Sequence, residues 1–190
     1  MEAALNILGF AGSLRKGSYN RMLLQNAVSL APPGTTLSTC VLDDIPPFNQ
    51  DLEKEMPAPV LEFKRRIKSA DAILIVTPEH NYSIPGVLKN AIDWASRPYG
   101  DNAFAGKPVA IMSASTGMMG GSRAQYHLRQ CFVFLTCFAV ATPEVFVAHA
   151  ADKFDAQGRL TDDKTREMIG ALLVRLVELT RMVKSAQVKP

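Results

Sequence analysis

The 190-residue sequence predicts an α/β fold: a five-stranded parallel sheet of order 2-1-3-4-5 with helices on both faces. Three observations carry this expectation. The run Asp71-Ala72-Ile73-Leu74-Ile75-Val76-Thr77 is almost wholly apolar and β-branched, as a strand buried on both faces requires. Runs of this kind alternate with stretches of helical apolar spacing. Polar loops carrying Gly and Pro lead from strand ends into the helices. The length is sufficient for one domain with a full core over 1–190, and no repeat, low-complexity tract or linker divides it.

Leu5 to Ala11 reads as the first strand. After Gly12 to Arg21, a helix carries Met22, Leu23, Ala27 and Leu30 and ends at Pro32-Pro33-Gly34. Thr35 to Leu42 alternates as a second strand, and Asp43 to Pro59, rich in Pro and acidic residues, reads as a surface loop. Val60 to Ser69 sets Val60, Leu61, Phe63 and Ile67 against Lys64, Arg65, Arg66 and Lys68, an amphipathic helix whose basic face is expected to be solvated. The third strand follows, then the loop Pro78 to Gly86 and a helix through Trp94 that uses Pro85 near its first turn. Lys107 to Ser113 is the fourth strand, and Ala114 to Gly121 a third Gly-rich polar loop. The helix from Ser122 to about Leu135 begins polar and ends apolar nearly all round, at Cys131 to Leu135. That end must be buried in this domain or against a partner. Phe138 to Val147 is a last strand broken by Pro143-Glu144, Asp152 to Asp163 is a polar excursion, and Thr165 to Val183 is a long amphipathic helix. Five strands alternating with five helices make the architecture a flavodoxin-like three-layer sandwich.

Composition narrows the function classes. No run approaches the roughly 18 apolar residues of a membrane helix. Glu2, Asn6 and Gly9 spoil the first segment as a secretion signal, which places the protein in the cytoplasm. Cys40, Cys131 and Cys137 form no C-x-x-C pair and sit in apolar contexts, as core residues do. His127 and His149 lack metal-like partners in sequence. The net charge of +3 comes without a Lys/Arg-dense patch with interleaved aromatics, which argues against nucleic acid. Between Asp101 and Glu144 there is no carboxylate, while Lys107, Arg123 and Arg129 lie there, so solvated charge or a weak attraction for an anionic small molecule is expected.

Gly12 to Arg21 sits at a strand-to-helix turn, where unpaired backbone N–H groups carry partial positive charge. The hydroxyls of Ser13 and Ser18, the amide of Asn20 and the guanidinium of Arg15 join them as a phosphate cradle. Gly17 is followed by Ser18 where a Walker loop needs Lys, and the spacing of Gly9 and Gly12 does not match G-x-G-x-x-G. A small terminal phosphate monoester fits what remains. In the order 2-1-3-4-5 the loops after strands one, three and four converge at the point where strand order reverses, which is where ligands bind in such sheets.

The runs Gly12-Ser13-Leu14-Arg15-Lys16-Gly17-Ser18-Tyr19-Asn20 and Thr77-Pro78-Glu79-His80-Asn81-Tyr82-Ser83-Ile84-Pro85-Gly86, with Leu88-Lys89-Asn90-Ala91-Ile92-Asp93-Trp94, resemble the NAD(P)H-dependent FMN reductase family, most closely its chromate, quinone and azo reductase branch. The resemblance covers essentially the whole chain. It implies FMN, with the phosphate at Ser13, Arg15, Ser18, Tyr19 and Asn20. The isoalloxazine would lie against Pro78, Glu79, His80, Asn81, Tyr82 and Ser83, and Ser115, Thr116 and Gly117 would close the site. His80 stands where the family more often has tyrosine; it keeps a flat ring but can charge near neutral pH, and its side chain either meets the flavin or points to water.

The resemblance further implies an oxidoreductase that passes hydride from NADPH or NADH through FMN to quinones, chromate, ferric complexes or azo compounds. The flavin carries that chemistry, so no protein nucleophile and no catalytic acid or base is expected. Glu79 can serve through backbone or side chain, and Tyr82 can stack on the ring, gate the pocket or merely cover the core. Lys89 and Asp93 form an i, i+4 pair expected to be structural. The rival class is a flavodoxin-like electron carrier without its own NAD(P)H oxidation; such carriers are typically strongly acidic and lack the arginine. Family members are usually dimers or tetramers, so a homodimer or homotetramer is expected, with Arg123, Tyr126 and Glu144 as polar interface contacts.

Overall fold

A computed structural model describes residues 4–187. Strands β1 (Leu5–Ala11), β2 (Thr35–Cys40), β3 (Ala72–Val76) and β4 (Pro108–Ala114) alternate with helices α1 (Tyr19–Ser29), α2 (Ala58–Ser69), α3 (Gly86–Ala95) and α4 (Ser122–Leu135). Two short strands, β5 (Phe138–Ala139) and β6 (Val145–Val147), and the long helix α5 (Asp163–Gln187) follow.

The sheet is parallel in the order β2-β1-β3-β4-β5, with β6 also paired to β4. Ile7 lies between Leu37 and Ala72 in register, so β1 is the centre from which the order reverses. The last strand is broken before Val145, as its Pro143-Glu144 indicated. It divides into β5 beside Pro108–Val109 and β6 beside Met112–Ala114, because Pro143 has no N–H to give a ladder.

Strand alternation deals the apolar side chains to two layers. Leu5, Ile7, Leu74, Val76, Ala110 and Met112 pack with Leu23 and Ala27 of α1 and with Ile169, Leu172, Leu173 and Leu176 of α5. Leu8, Phe10, Ile73, Ile75, Val109 and Ile111 pack on the other face with Phe63 and Ile67 of α2, Leu88 and Ile92 of α3, and Leu128 and Phe132 of α4. The interior strands are therefore apolar on both sides, which is why their sequences do not alternate.

Three expectations change. The basic face of α2 is not wholly solvated: Lys64 is buried, and its ammonium donates to the carbonyls of Arg97 and Asp101 and pairs with the Asp101 carboxylate. Burial pushes the Lys64 ammonium pKa down, against the pull of Asp101. The cysteines are half-buried and unpaired instead of fully inside the core. Burial raises the thiol of Cys40 to about 11 and that of Cys137 to about 12, so both stay protonated at neutral pH. At the end of α4, Phe132 and Leu135 enter the core while Val133 and Phe134 are 81% and 71% exposed. Among the described residues no helix is long and apolar enough to cross a membrane.

Candidate functional site

The loops leaving the C-terminal ends of β1, β3 and β4 meet in one crevice of about 470 Å³. Its walls include Ser13, Arg15, Ser18, Tyr19 and Asn20 from the first loop, Pro78, Glu79 and His80 from the second, and Ser115 and Thr116 from the third. Gly12, Leu14, Pro85, Gly86, Val87 and Ala114 line it as well. The position follows from the topology, since the crevice straddles β1 and β3, where the strand order reverses.

The first loop is fixed from both ends. The Gly12 N–H donates to the Val76 carbonyl at 2.8 Å, and the Ser18 N–H to the Arg15 carbonyl at 3.1 Å. Arg21, to which the sequence assigned no role, donates through Nε to the Ser13 carbonyl at 2.8 Å and pairs with Asp43. Ser18 is a buried residue that precedes α1 in extended conformation, and its hydroxyl makes no capping bond to the helix. With the first-turn N–H groups of α1, that hydroxyl is free for a ligand. Arg15 is exposed and pairs with no carboxylate among the described residues; its guanidinium lies 5.7 Å from the Tyr19 ring centroid. Asn20 lines the crevice, and its amide donates one N–H to the Ala114 carbonyl and accepts from the Ala114 N–H, each at 2.9 Å, which braces α1 against β4.

The second loop is a two-residue hairpin. His80 and Ser83 exchange both backbone hydrogen bonds at 2.9 Å, with Asn81 at φ 50° and Tyr82 at φ 67° between them. Asn tolerates that conformation; Tyr pays strain for it. Glu79 ties the hairpin to α4. Its carboxylate accepts from the N–H groups of Arg123 at 3.1 Å and Ala124 at 3.4 Å and from Arg123 Nη1 at 2.9 Å. Helix α4 begins at Gly121 without a side-chain cap of its own, so Glu79 supplies one from another loop. The Arg123 guanidinium in turn covers the Tyr82 ring at 4.0 Å.

Not every expected residue faces the crevice. Asn81 and Tyr82 are exposed at the hairpin tip, and Gly117 is exposed on the third loop. The Ser83 hydroxyl turns into the adjoining groove, 2.6 Å from His127 Nδ1. The third loop is held by backbone bonds, Ser115 N–H to the Val147 carbonyl at 2.9 Å and Ala150 N–H to the Ser115 carbonyl at 3.0 Å. Two of its glycines are forced: a Cβ on Gly120 would lie 2.9 Å from the Phe146 carbonyl carbon, and one on Gly121 2.7 Å from Ser113 Cβ.

The cations of the carboxylate-free span are also occupied. Arg123 meets Glu79, Arg129 approaches Glu144 at 4.0 Å, and Lys107 donates to the carbonyls of Lys68 and Ala70. Tyr126 donates to Glu144 at 3.1 Å, and Lys89 pairs with Asp93. Among the described residues, Arg15 is thus the cation at the crevice without an acidic partner. The walls combine that guanidinium and free hydroxyls at one end with Pro78, His80 and Val87 further along, a set suited to a phosphate joined to a flat ring.

Comparison with known proteins gives a consistent picture. A family model described as NADPH-dependent FMN reductase matches residues 5–152. An NAD(P)H-dependent FMN reductase of Pseudomonas aeruginosa is 51% identical over 170 residues, 89% of this chain and 91% of that protein. A quinone reductase of Escherichia coli is 40% identical over 188 residues, covering 97% of this chain and all of that one. Among solved structures, the flavoenzyme NAD(P)H:(acceptor) oxidoreductase FerB from Paracoccus denitrificans superposes with a TM-score of 0.86 at 35% identity, covering 94% of this chain and 98% of that one.

Proposed function

The chain belongs to the NADPH-dependent FMN reductase family, and from that premise we propose that it is an FMN-dependent NAD(P)H:quinone oxidoreductase. The observation that carries the reading is Arg15, without an acidic partner among the described residues, beside the uncapped Ser18 hydroxyl in a crevice that also carries Pro78, His80 and Val87. The donors suit a phosphate dianion, and no acidic side chain competes for Arg15.

FMN, when bound, supplies two-electron exchange with a nicotinamide nucleotide and with a quinone. The chain supplies binding and order. Ser13, Arg15, Ser18 and the first turn of α1, with Tyr19 alongside, would hold the phosphate, and Asn20 keeps α1 against β4. Pro78, Glu79 and His80 would flank the ring, and Ser115 and Thr116 would face it from the third loop, where the Gly117 N–H donates to the Ser115 hydroxyl. Glu79 acts through its side chain on α4, and Asn81, Tyr82 and Ser83 shape the hairpin above the ring. The cysteines contribute no nucleophile, and a hydride exchange needs none.

The finer reading is a single domain over 1–190 that works in the cytoplasm, binds neither nucleic acid nor membrane, and accepts chromate, ferric complexes or azo compounds besides quinones through the open crevice. It is a homodimer or homotetramer. Val133 and Phe134 are exposed, and Phe134 lines a cavity of about 450 Å³ whose walls include Phe48, Tyr99 and Leu135 as well as Lys89, Asp93 and Arg97, a face that a second copy would cover. Tyr126, Glu144 and Arg123 are its polar contacts.

The test is NADPH and NADH consumption by the purified, FMN-loaded protein with a benzoquinone. Turnover without any added reductase is expected. Dependence on a separate reductase would make the chain a carrier.

A further inference from the structure

We propose that Phe154 and Tyr19 are positioning residues that hold Arg15 ready for the phosphate, so that the polar excursion after β6 sets the affinity of the cradle. The proposal rests on the reading of Arg15 as the phosphate's cation.

The excursion is built and docked with care. Phe154 and Leu160 form an antiparallel bridge, closed by the Asp155 carboxylate accepting from the Gln157 and Arg159 N–H groups at 2.9 Å and from Arg159 Nε at 2.6 Å. Gly158, at φ 76°, makes the turn. Asn26 of α1 then clamps it, donating to the Gly158 carbonyl at 2.8 Å and accepting from the Leu160 N–H at 2.9 Å. This clamp brings the Phe154 ring to 5.8 Å from the Tyr19 ring, tilted by 30°. Tyr19 in turn lies 5.7 Å from the Arg15 guanidinium, within reach of a cation–π contact.

The physical need is plain. Arg15 is exposed on a loop, without an acidic partner, and a free arginine side chain must give up rotamer entropy when it grips a phosphate. A ring fixed beneath the guanidinium removes part of that cost before the ligand arrives. Phe154 stands outside the crevice, so it acts only through Tyr19.

The test compares FMN with riboflavin, which lacks the phosphate, on the flavin-free protein by fluorescence titration. Phe154→Ala should weaken FMN about two- to fivefold, the range of an exposed cation–π contact, and leave riboflavin unchanged. Tyr19→Leu should do the same, and Tyr19→Phe should restore FMN affinity. In an Arg15→Ala background, Phe154→Ala should have no further effect. Phe154→Leu serves if the alanine variant does not fold. Equal losses for both flavins, or no loss, would overturn the inference. If Arg15→Ala lowers FMN affinity selectively and Phe154→Ala does not, the positioning role alone fails. If Arg15→Ala is itself without selective effect, the phosphate reading fails with it.

Discussion

Replacing Glu79 by alanine removes three hydrogen bonds that join the hairpin after β3 to the start of α4. Loss of an N-cap acceptor costs about 1 kcal/mol in typical helices. The charge-assisted bond to Arg123 would add about 1.5–3 kcal/mol if buried, but the arginine is 35% exposed, which reduces its share to about 1 kcal/mol. The sum is roughly 2 kcal/mol, and for a chain of this size each kcal/mol moves Tm by about 2–4 °C. Thermal unfolding of the flavin-free protein should therefore show Glu79→Ala melting about 4–8 °C lower. Glu79→Gln keeps an amide oxygen for the helix N–H groups and gives up the ion pair, so its loss should be near half as large. A Tm for Glu79→Ala within about 1 °C of the unaltered protein would refute the assignment of Glu79 as the cap of α4.

Other outcomes follow from the same geometry. Gly121→Ala sets a Cβ 2.7 Å from that of Ser113 at φ 86° and should cost about 1–3 kcal/mol in chemical unfolding; unchanged stability would show that the third loop is not fixed as described. The hydrogen bond from Lys68 is the largest influence on the Asp101 carboxyl; burial opposes it, and the hydrogen bond from Lys64 with the charges of both lysines keeps the carboxyl below the usual carboxylate range. A depressed folded pKa contributes stability above the unfolded value, near 4, and loses it as pH falls through the folded value. Asp101→Asn should accordingly be less stable at pH 7, with the deficit closing below about pH 4 in urea titrations; a deficit independent of pH would exclude the ion pair as its source. Phe134→Asp should give a smaller species by light scattering, whereas an unchanged mass would move the interface elsewhere on the surface.

The fold was legible because β3 and β4 are buried on both faces and must be apolar throughout, and because the helices that cover them keep their spacing. The cradle was legible for a related reason: Gly12, Ser13, Arg15 and Ser18 lie within one short turn, so their convergence needs no tertiary information. What escaped depends on partners far along the chain. The sequence does not show that the Asn20 amide also braces α1 to Ala114, 94 residues away. Lys64 looks solvated until the carbonyls of Arg97 and Asp101 close over it. Ser83 turns to His127, and Glu79 to Arg123, each across 44 residues. A polar side chain shows its chemistry in the sequence, but whether that chemistry is spent on the fold or left for a ligand is decided by packing.

The central claim is that this one chain both accepts hydride from a nicotinamide nucleotide and passes electrons to a quinone. Anaerobic stopped-flow of the FMN-loaded protein tests it directly. Mixing with NADPH or NADH should bleach the flavin's visible absorbance, and one equivalent of benzoquinone should restore it, with no second protein present. A flavin that dithionite bleaches but neither nucleotide does would contradict the account.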